Sequence, residues 1–352
     1  MPTQHLAPSE FLAAAAERVL LDVRSPGEYA QGHIPGAISF PLFSDEERAE
    51  VGTAYKQQGS ETAMLLGLRI VGPKMEGFVR QARALAPGRR LAVHCWRGGQ
   101  RSGSMAWLFR QAGFDVVTLN CGYKQYRQHI LAQFEQTSLP FLVVGGKTGA
   151  GKTKILHALR DLGEQIIDLE GLAHHKGSSF GSIGEAPQPT VEQFENDLFD
   201  AVSRLDHNRH IWVENESRSI GRVYVPEGFW KWMRRSPLYH IEVPQHCRIE
   251  HLVADYVGYS AEELEAAFRR IEKKLGGQHL KAALDALHSG NYADAAEIAL
   301  NYYDKTYRYG LENTTASAVY MLTFDHGDPR LIAQVCLEHC LAELKAEQLV
   351  NG

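Results

Sequence analysis

The sequence has no long run of apolar residues. No window approaches the ~18 consecutive apolar residues that a membrane-spanning helix needs, and residues 1–23 lack the basic start and apolar stretch of a secretory signal. The five cysteines are odd in number and irregularly spaced, which argues against a disulfide framework. We therefore expect a reduced, cytoplasmic protein that does not associate with membranes.

The sequence also has no strong excess of charge, no internal repeat and no low-complexity segment. Its net charge of −5 excludes a molecule that attracts nucleic acid over its whole surface, although a local basic patch can still bind phosphates. Apolar residues make up 44% and charged residues 22%, as in ordinary globular proteins, so disorder is not expected. A chain of 352 residues predicts about two domains.

Short apolar segments alternate with amphipathic ones in both halves of the chain, which predicts α/β domains with parallel sheets. The predicted strands of the first half are VLLDV (19–23), RRLAVHC (89–95) and FDVVTLN (114–120). The alternation begins again at FLVVGG (141–146), after the polar segment QTSLP (136–140). We therefore place one domain at residues 1–135 and a second at 138–352, the latter mostly helical from about residue 246.

A single cysteine lies in a loop rich in glycine and arginine, AVHCWRGGQRSGS (92–104). Its paired glycines allow the loop to curl so that backbone N–H groups point inward, which favours an anion at the centre. Arg97, Arg101 and the N-terminus of the following helix add positive charge. These features favour a thiolate at Cys95 and a small anion such as phosphate or its sulfur and selenium analogues. The alternative is an inert cysteine buried at the end of a strand.

The segment LLDVRSPGEYAQGHIPGA (20–37) resembles the amino-terminal signature of the rhodanese family. The matching residues are Asp22, Arg24, Glu28, His33 and Gly36. The resemblance places Cys95 where that family carries a persulfide or its equivalent. Five residues separate Cys95 from Arg101, whereas ordinary single-domain rhodaneses have four, and the larger loop is similar to that of rhodanese-like phosphatases. The resemblance thus implies a larger anion than a sulfane sulfur, so plain thiosulfate sulfurtransferase activity is not expected.

A second loop, GKTGAGKT (146–153), matches the phosphate-binding pattern G-x-x-x-x-G-K-[ST] in full. It follows an apolar strand and opens a helix, which is the context that this pattern requires. The glycines that let the backbone wrap a phosphate are Gly146, Gly149 and Gly151. Lys152 is expected to reach the terminal phosphoryl oxygens, and the Thr153 hydroxyl to hold Mg²⁺.

A magnesium ion at this loop needs a carboxylate ligand in addition to the Thr153 hydroxyl. Acidic residues end two of the predicted strands. The candidates are Asp168, Glu170, Glu214 and Glu216. Aspartate is the usual residue at such a position, which favours Asp168, but nothing in the sequence chooses among the four. Each of them, taken singly, is also typical of a solvated strand end.

Basic and aromatic residues are interleaved in ESRSIGRVYVPEGFWKWMRRSP (216–237), a pattern that suits single-stranded RNA. The candidate phosphate contacts are Arg218, Arg222, Lys231, Arg234 and Arg235. Trp230 and Trp232 either stack on bases or pack in the core, and the sequence leaves both interpretations open.

Five segments together resemble the tRNA 2-selenouridine synthase family over nearly the whole chain. They are HCWRGGQRSGSMAWLF (94–109), GGKTGAGKT (145–153), GSSFG (177–181), ESRSIGRVYVP (216–226) and YYDKTYRY (302–309). Cys121 departs from the family, which has glycine at this place. Cys121 is either a thiol that resolves a disulfide or selenosulfide with Cys95, or a tolerated replacement.

The resemblance implies an enzyme that exchanges sulfur for selenium in the wobble 2-thiouridine of tRNAs for Lys, Glu and Gln, with selenophosphate as donor. It also implies an S-geranylated intermediate made from geranyl diphosphate, and contact with the protein that supplies selenophosphate. In this interpretation Cys95 accepts or positions selenium, and Arg97 and Arg101 hold the donor's phosphoryl oxygens. Lys152 and Thr153 hold the diphosphate.

Three other functions fit parts of the sequence. An ATP-dependent tRNA sulfurtransferase or kinase-like enzyme would bind a nucleotide at the Gly146–Thr153 loop. A tRNA-binding regulator would have an unreactive Cys95. A rhodanese-like phosphatase would leave the Gly146–Thr153 loop without a role.

Overall fold

The protein, seen in a computed structural model, consists of two compact units, residues 1–133 and 134–352. The structure describes residues 4–136, 138–312 and 314–351, with side chains described for 4–136, 138–305 and 314–346. The division falls inside a helix, a few residues before the segment 136–140, and the domain limits given above stay predictions.

A five-stranded parallel sheet forms the centre of the first unit, with strand order β1-β5-β4-β2-β3. Its strands are β1 (Gln4–Leu6), β2 (Val19–Asp22), β3 (Ile38–Ser39), β4 (Arg90–His94) and β5 (Asp115–Leu119). The helices are α1 (Pro8–Ala15), α2 (Pro26–Gln31), α3 (Asp45–Gln58), α4 (Ser60–Val71), α5 (Met75–Leu85), α6 (Gln100–Gln111) and α7 (Gly122–Gln136), and Gly72–Lys74 is a 3₁₀ turn.

The register of the central strands positions the cysteine loop. Asp22 at the end of β2 lies opposite His94 at the end of β4, so Cys95 follows at the carboxyl edge of the sheet. Four of the five residues of β4 are buried, because helices cover both faces of a parallel sheet. The predicted rhodanese-like α/β architecture is confirmed in this unit.

A second five-stranded parallel sheet, with order β12-β11-β6-β8-β7, forms the centre of the second unit. Its strands are β6 (Phe141–Gly146), β7 (Gln165–Ile167), β8 (Ile211–Glu214), β11 (Leu238–Glu242) and β12 (Val319–Thr323), and β9 (Ser219–Ile220) and β10 (Val223–Tyr224) form a separate hairpin. Strand β6 is central and fully buried, and it carries the phosphate loop at its carboxyl end. This arrangement confirms the predicted P-loop-like fold.

Helices cover this second sheet and form the predicted helical region after residue 245. They are α8 (Lys152–Asp161), α9 (Leu169–Ala173), α10 (Val191–Ser203), α11 (Glu227–Arg235), α12 (Gln245–Tyr256), α13 (Ala261–Arg270), α14 (Glu272–Leu275), α15 (Gly277–His288), α16 (Tyr292–Glu312) and α17 (Pro329–Asn351). Ser260 and Glu263 form the predicted capping box of α13, since each accepts a hydrogen bond from the other's backbone N–H.

Within the described part of the chain, no helix combines the length and apolar character needed to cross a membrane. The predicted cytoplasmic location stays a prediction.

Candidate active sites

Cys95 follows β4 directly and is only 3% exposed. It belongs to the hydrophobic core of the first unit, together with Val93 and Met105. Its one polar side-chain contact in the described chain is with Ser102, whose Oγ lies 3.2 Å from Sγ. The thiol therefore lies at the base of the loop rather than at its mouth, and its reactivity stays a prediction.

The backbone of the cysteine loop is shaped to surround an anion. Gly98 has a φ of +63°, and a Cβ at this position would lie 2.7 Å from the Leu119 carbonyl oxygen. In the described residues, the amide N–H groups of residues 96–101 donate no hydrogen bond to the chain itself. Helix α6 begins at Gln100 and adds the positive end of its dipole. These donors are available to an anion bound at the loop, and we call them its cradle.

The two arginines of the loop differ in their surroundings. Arg101 forms an ion pair with Glu28, with 2.5 Å between Nη1 and Oε2. Burial opposes its charge, but the Glu28 carboxylate outweighs this and raises the pKa of Arg101 above its ordinary value. Arg97 is exposed and has no ion pair among the described residues. Arg97 is therefore the more available cation, and Arg101 is held rigidly by Glu28.

Two of the signature residues, Asp22 and Arg24, support the start of this loop. The fully buried Arg24 guanidinium donates to Asp22 and to the Gly32 carbonyl oxygen, with 2.6 Å between Nη2 and the acceptor in each case. Its charge lies 3.8 Å from the centre of the Tyr123 ring. Since Tyr123 donates its backbone N–H to the Cys95 carbonyl oxygen, Arg24 fixes the start of the loop through that ring.

Replacing Gly98 by alanine should destabilise the protein by about 1–3 kcal/mol, because the new Cβ meets three backbone atoms in a left-handed conformation. Gly103→Ala is the matched control, since Gly103 lies in α6 with nothing within 4 Å of its ideal Cβ. It should leave stability unchanged or slightly increased. Urea unfolding of both variants measures the difference, and equal stabilities would show that the loop tolerates a side chain at Gly98.

His94 should make the first unit sensitive to acid. Burial lowers the pKa of its imidazole to about 4, although the Asp22 carboxylate partly offsets this. The unfolded chain takes up the proton near pH 6.5, so stability is complete above that pH and falls as the pH drops toward 4. Between pH 7 and pH 5 the wild type should lose about 2 kcal/mol through this group.

The measurement is hydrogen exchange of β4 in the full chain at the two pH values. His94→Leu should remove most of the difference, because leucine has no proton to gain. If His94→Leu lost as much protection as the wild type between pH 7 and pH 5, another group would cause the acid sensitivity.

Cys121 lies in the left-handed region at φ +52°, which explains why glycine suits this place. Its side chain is exposed, and its sulfur lies 3.6 Å from the Asn120 Oδ1 atom. Both roles, a resolving thiol and a tolerated replacement, stay predictions.

The phosphate loop of the second unit runs from Gly146 to Thr153, between β6 and α8. Gly149 and Gly151 have φ values of +81° and +82°. A Cβ at Gly149 would lie 2.9 Å from the Arg248 carbonyl oxygen, and one at Gly151 would lie 3.2 Å from the His251 ring. The glycines are therefore required by the close approach of α12 as well as by the curvature of the loop.

Three buried or half-buried carboxylates surround the end of this loop. The Thr153 hydroxyl lies 2.8 Å from Glu170 Oε2 and 3.0 Å from Glu214 Oε2, and Lys152 Nζ lies 3.9 Å from Glu216 Oε1. Burial and the neighbouring Glu170 carboxylate raise the pKa of Glu214 well above its usual range, and burial also raises the pKa values of Glu170 and Glu216. The Glu170 N–H also donates to Glu214 Oε1 at 2.8 Å, so the backbone as well as Thr153 holds these two carboxyl groups together.

Asp168 lies apart from this cluster of contacts. Its Oδ1 accepts from the Gly171 N–H at the start of α9, and its Oδ2 lies 2.6 Å from His157 Nε2. The partners of Asp168 explain the difference, because they hold its carboxylate at the start of α9 and against His157, whereas Glu170, two residues on, reaches Thr153. The magnesium prediction for Asp168 stays untested, and the structure gives Thr153 two glutamates as its carboxylate neighbours.

The donor set at Thr153 fits Mg²⁺, which prefers hydroxyl and carboxylate oxygens. Thr153 and Glu214 would hold the ion. No group of three or more histidine, cysteine or acidic side chains in the described residues has the arrangement of a metal site. Phosphate oxygens of the substrate would therefore complete the coordination, as is common for magnesium.

The basic residues of 216–237 lie on the β9–β10 hairpin and on α11. Arg218, Arg222, Lys231 and Arg235 are exposed, whereas Arg234 is half-buried. Glu227 pairs with two of them, at 3.6 Å from Arg218 and 2.7 Å from Lys231. The prediction that these residues bind RNA stays a prediction.

The two tryptophans of α11 are half-buried and pack against the core of the second unit. This contact favours packing over base stacking for Trp230 and Trp232. Tyr224 is the aromatic residue of the hairpin that faces solvent, with 52% of its surface exposed. In the segment YYDKTYRY, residues 306–309 lie outside the described side chains.

Two family models match the chain, in the order of the two units. The model described as the tRNA 2-selenouridine synthase AAA domain matches residues 139–334, and a rhodanese-like domain model matches residues 7–129. A relative named tRNA 2-selenouridine synthase from Sulfurovum sp. (strain NBC37-1) is 36% identical over 340 residues, covering 86% of this chain and 91% of the relative. The chain belongs to the tRNA 2-selenouridine synthase family.

Other members of the family show the same extent of similarity. The tRNA 2-selenouridine synthase of Chromohalobacter salexigens is 35% identical over 357 residues, which cover 91% of this chain and 95% of that protein. The tRNA 2-selenouridine synthase of Bdellovibrio bacteriovorus is 36% identical over 352 residues, which cover 86% of this chain and 91% of that protein. Both units of the chain thus belong to the tRNA 2-selenouridine synthase architecture, and the protein is an enzyme of that family.

Proposed function

We propose that this enzyme replaces the sulfur of wobble 2-thiouridine in tRNA by selenium, through an S-geranylated intermediate. The observation that carries the proposal is the presence of two separate anion cradles in one chain, the Cys95 loop and the Gly146–Thr153 loop. Each cradle suits one of two anionic co-substrates. Selenophosphate binds at Cys95, and the diphosphate of geranyl diphosphate binds at Lys152.

The first step alkylates the sulfur of the base. The 2-thiouridine sulfur attacks C1 of the geranyl group, the C–O bond breaks, and diphosphate departs with the bonding electrons while N3 loses its proton. Lys152 and the loop amides stabilise the charge that develops on the leaving group. Magnesium bound at Thr153 and Glu214 would supply further positive charge to the diphosphate.

The second step uses the better leaving group made in the first. Selenium of the bound selenophosphate forms a bond to C2 of the base, and geranylthiol leaves. Water then cleaves the Se–P bond and releases phosphate, so no oxidant or reductant is needed. Arg97 and the amides of residues 96–101 hold the phosphoryl oxygens, and Cys95 with Ser102 positions the selenium end of the donor.

The tRNA is the macromolecular substrate in this proposal, with the tRNAs for Lys, Glu and Gln as acceptors. The exposed cations of the β9–β10 hairpin and α11 support phosphate contacts, and Tyr224 offers an exposed ring for stacking. A contact with the selenophosphate-supplying protein fits the exposed position of Arg97.

Nucleoside mass spectrometry tests the proposal in cells. A bacterial strain that makes 2-thiouridine but lacks its own selenium-inserting enzyme is grown with selenite, with and without this chain. We expect 2-selenouridine in the tRNAs for Lys, Glu and Gln only when the chain is expressed. Equal nucleoside profiles with the expressed, folded protein would reject the proposed function.

A further inference from the structure

An apolar cavity lies in the helical part of the second unit, beside the phosphate loop. Its enclosed volume is small, about 60 Å³, and it is open to solvent. Side chains of α12, α13, α15 and α16 form its wall, among them Leu252, Phe268, Leu287 and Ala299. The neighbouring helices form a common hydrophobic core around it.

The cavity is tied to the phosphate loop by specific contacts. Thr148 is part of that loop and also lines the cavity. Arg248 of α12 donates from Nε to the Thr148 carbonyl oxygen at 2.9 Å and pairs with Asp304 of α16. His251 Nδ1 lies 2.9 Å from the Gly149 carbonyl oxygen. Two of the helices that enclose the cavity are therefore fixed to the loop that would hold a diphosphate.

The polar groups of the cavity lie on the side of the carboxylate cluster. Ser178 lines the cavity, and its neighbour Gly177 lies against the cluster, since a Cβ there would be 2.7 Å from Glu216 Oε2 and 2.8 Å from Glu170 Oε1. The Tyr303 hydroxyl accepts the N–H of Ser179 at 3.2 Å. The cavity thus has a polar edge toward Lys152 and Thr153 and an apolar interior.

We infer that this cavity holds the hydrocarbon chain of an allylic diphosphate whose diphosphate group lies in the Gly146–Thr153 loop. The inference rests on the proposed function and adds the place where the chain is bound. A nucleoside does not fit the same interior, because its base and ribose would lose hydrogen bonds to water without gaining partners on the apolar wall. A hydrocarbon chain makes no hydrogen bonds to water, so it loses none when it enters the cavity.

The side chains that α16 presents to the cavity would set the length of hydrocarbon chain that is accepted. Ala295 and Ala299 lie one turn apart on α16 and present small side chains to the cavity. Tyr292, at the start of the same helix, presents a large one. A larger residue at Ala299 removes space for the chain, and a smaller residue at Tyr292 adds space.

Calorimetric binding tests the inference directly. The probes are geranyl thiolodiphosphate, which resists transfer, and inorganic pyrophosphate, both with Mg²⁺. Ala299→Leu should weaken binding of the geranyl probe by about tenfold or more, because part of its apolar surface stays in water, while pyrophosphate binding is unchanged. The control is Ala293→Leu on the exposed face of α16, which should affect neither probe. Equal affinities of Ala299→Leu and Ala293→Leu for the geranyl probe would overturn the inference.

A second variant keeps the inference testable if Ala299→Leu disturbs the loop. Tyr292→Ala should increase the affinity for farnesyl thiolodiphosphate relative to the geranyl probe by several-fold, and an unchanged ratio counts against the cavity. The proposed function has its own test, which is geranyl transfer by the wild type to 2-thiouridine tRNA. No transfer would reject the proposed function. If the wild type transfers geranyl and the cavity variants bind the probes as the wild type does, this inference is wrong and the proposed function is not affected.

Discussion

Replacing Lys152 by alanine is expected to lower the rate of geranyl transfer by on the order of 10²–10³-fold, as is typical for the loss of one group that stabilises charge in the transition state. The Lys152 side chain is only 17% exposed and its ammonium group lies beside Glu216, so bulk water does not replace its charge effectively. Diphosphate would then leave without its principal cation. The measurement is single-turnover formation of S-geranyl-2-thiouridine in purified tRNA.

Lys154→Ala is the matched control for this variant. Lys154 lies in the same helix, is 41% exposed and pairs with Asp255 at 2.8 Å, away from the carboxylate cluster. It should retain nearly the full rate of geranyl transfer. If both lysine variants were equally active, the phosphate loop would have no part in prenyl transfer.

Replacing Cys95 by serine is expected to reduce selenium incorporation to the level seen without enzyme, while geranyl transfer continues. Cys95 and the amide cradle lie in the first unit, whereas Lys152, Thr153 and their carboxylates lie in the second. The two steps should therefore separate, and S-geranyl-2-thiouridine should accumulate. The measurement is the ratio of S-geranyl-2-thiouridine to 2-selenouridine in tRNA incubated with both co-substrates.

Cys121→Ser controls for the general loss of a thiol from the first unit. Its exposed side chain makes one long contact with Asn120, so the variant should behave as the wild type if Cys121 is a tolerated replacement. A failure of selenation in Cys121→Ser would instead favour a resolving thiol. Normal selenation by Cys95→Ser, with geranyl transfer abolished, would reverse the assignment of the two cradles.

The features that the sequence predicts well are those set by neighbouring residues. The strand before Cys95 and the strand before Gly146 are continuous apolar runs, and each leads into a glycine-rich turn. The capping box at Ser260 depends on two residues three positions apart. Local patterns of this kind need no knowledge of the rest of the fold.

The segment after Arg24 shows that prolines and glycines do not always mark a loop. Pro26–Gln31 is rich in turn-forming residues, but it is a helix. Pro26 stands at its first position, and Glu28 accepts a hydrogen bond from the Ser25 N–H at 3.1 Å. Proline at N1 and a carboxylate at N3 are start signals of a helix, so the sequence did contain the information.

The carboxylate at the phosphate loop depends on tertiary structure instead. Thr153 lies beside Glu214 at the end of β8 and Glu170 in α9, so both the pairing of β8 with β6 and the position of α9 decide which acidic residues it meets. The pairing of Arg101 with Glu28 likewise joins residues 73 positions apart. The apolar cavity requires four helices to pack together, and no single segment of sequence indicates it.

The central claim is that the two cradles serve two successive steps, and an order-of-addition experiment tests it most directly. Purified protein is incubated with 2-thiouridine tRNA and Mg²⁺, first with selenophosphate alone and then after adding geranyl diphosphate, and nucleosides are quantified by mass spectrometry. We expect no 2-selenouridine until geranyl diphosphate is added, followed by S-geranyl-2-thiouridine that rises before 2-selenouridine. Full conversion to 2-selenouridine with selenophosphate alone would contradict the account.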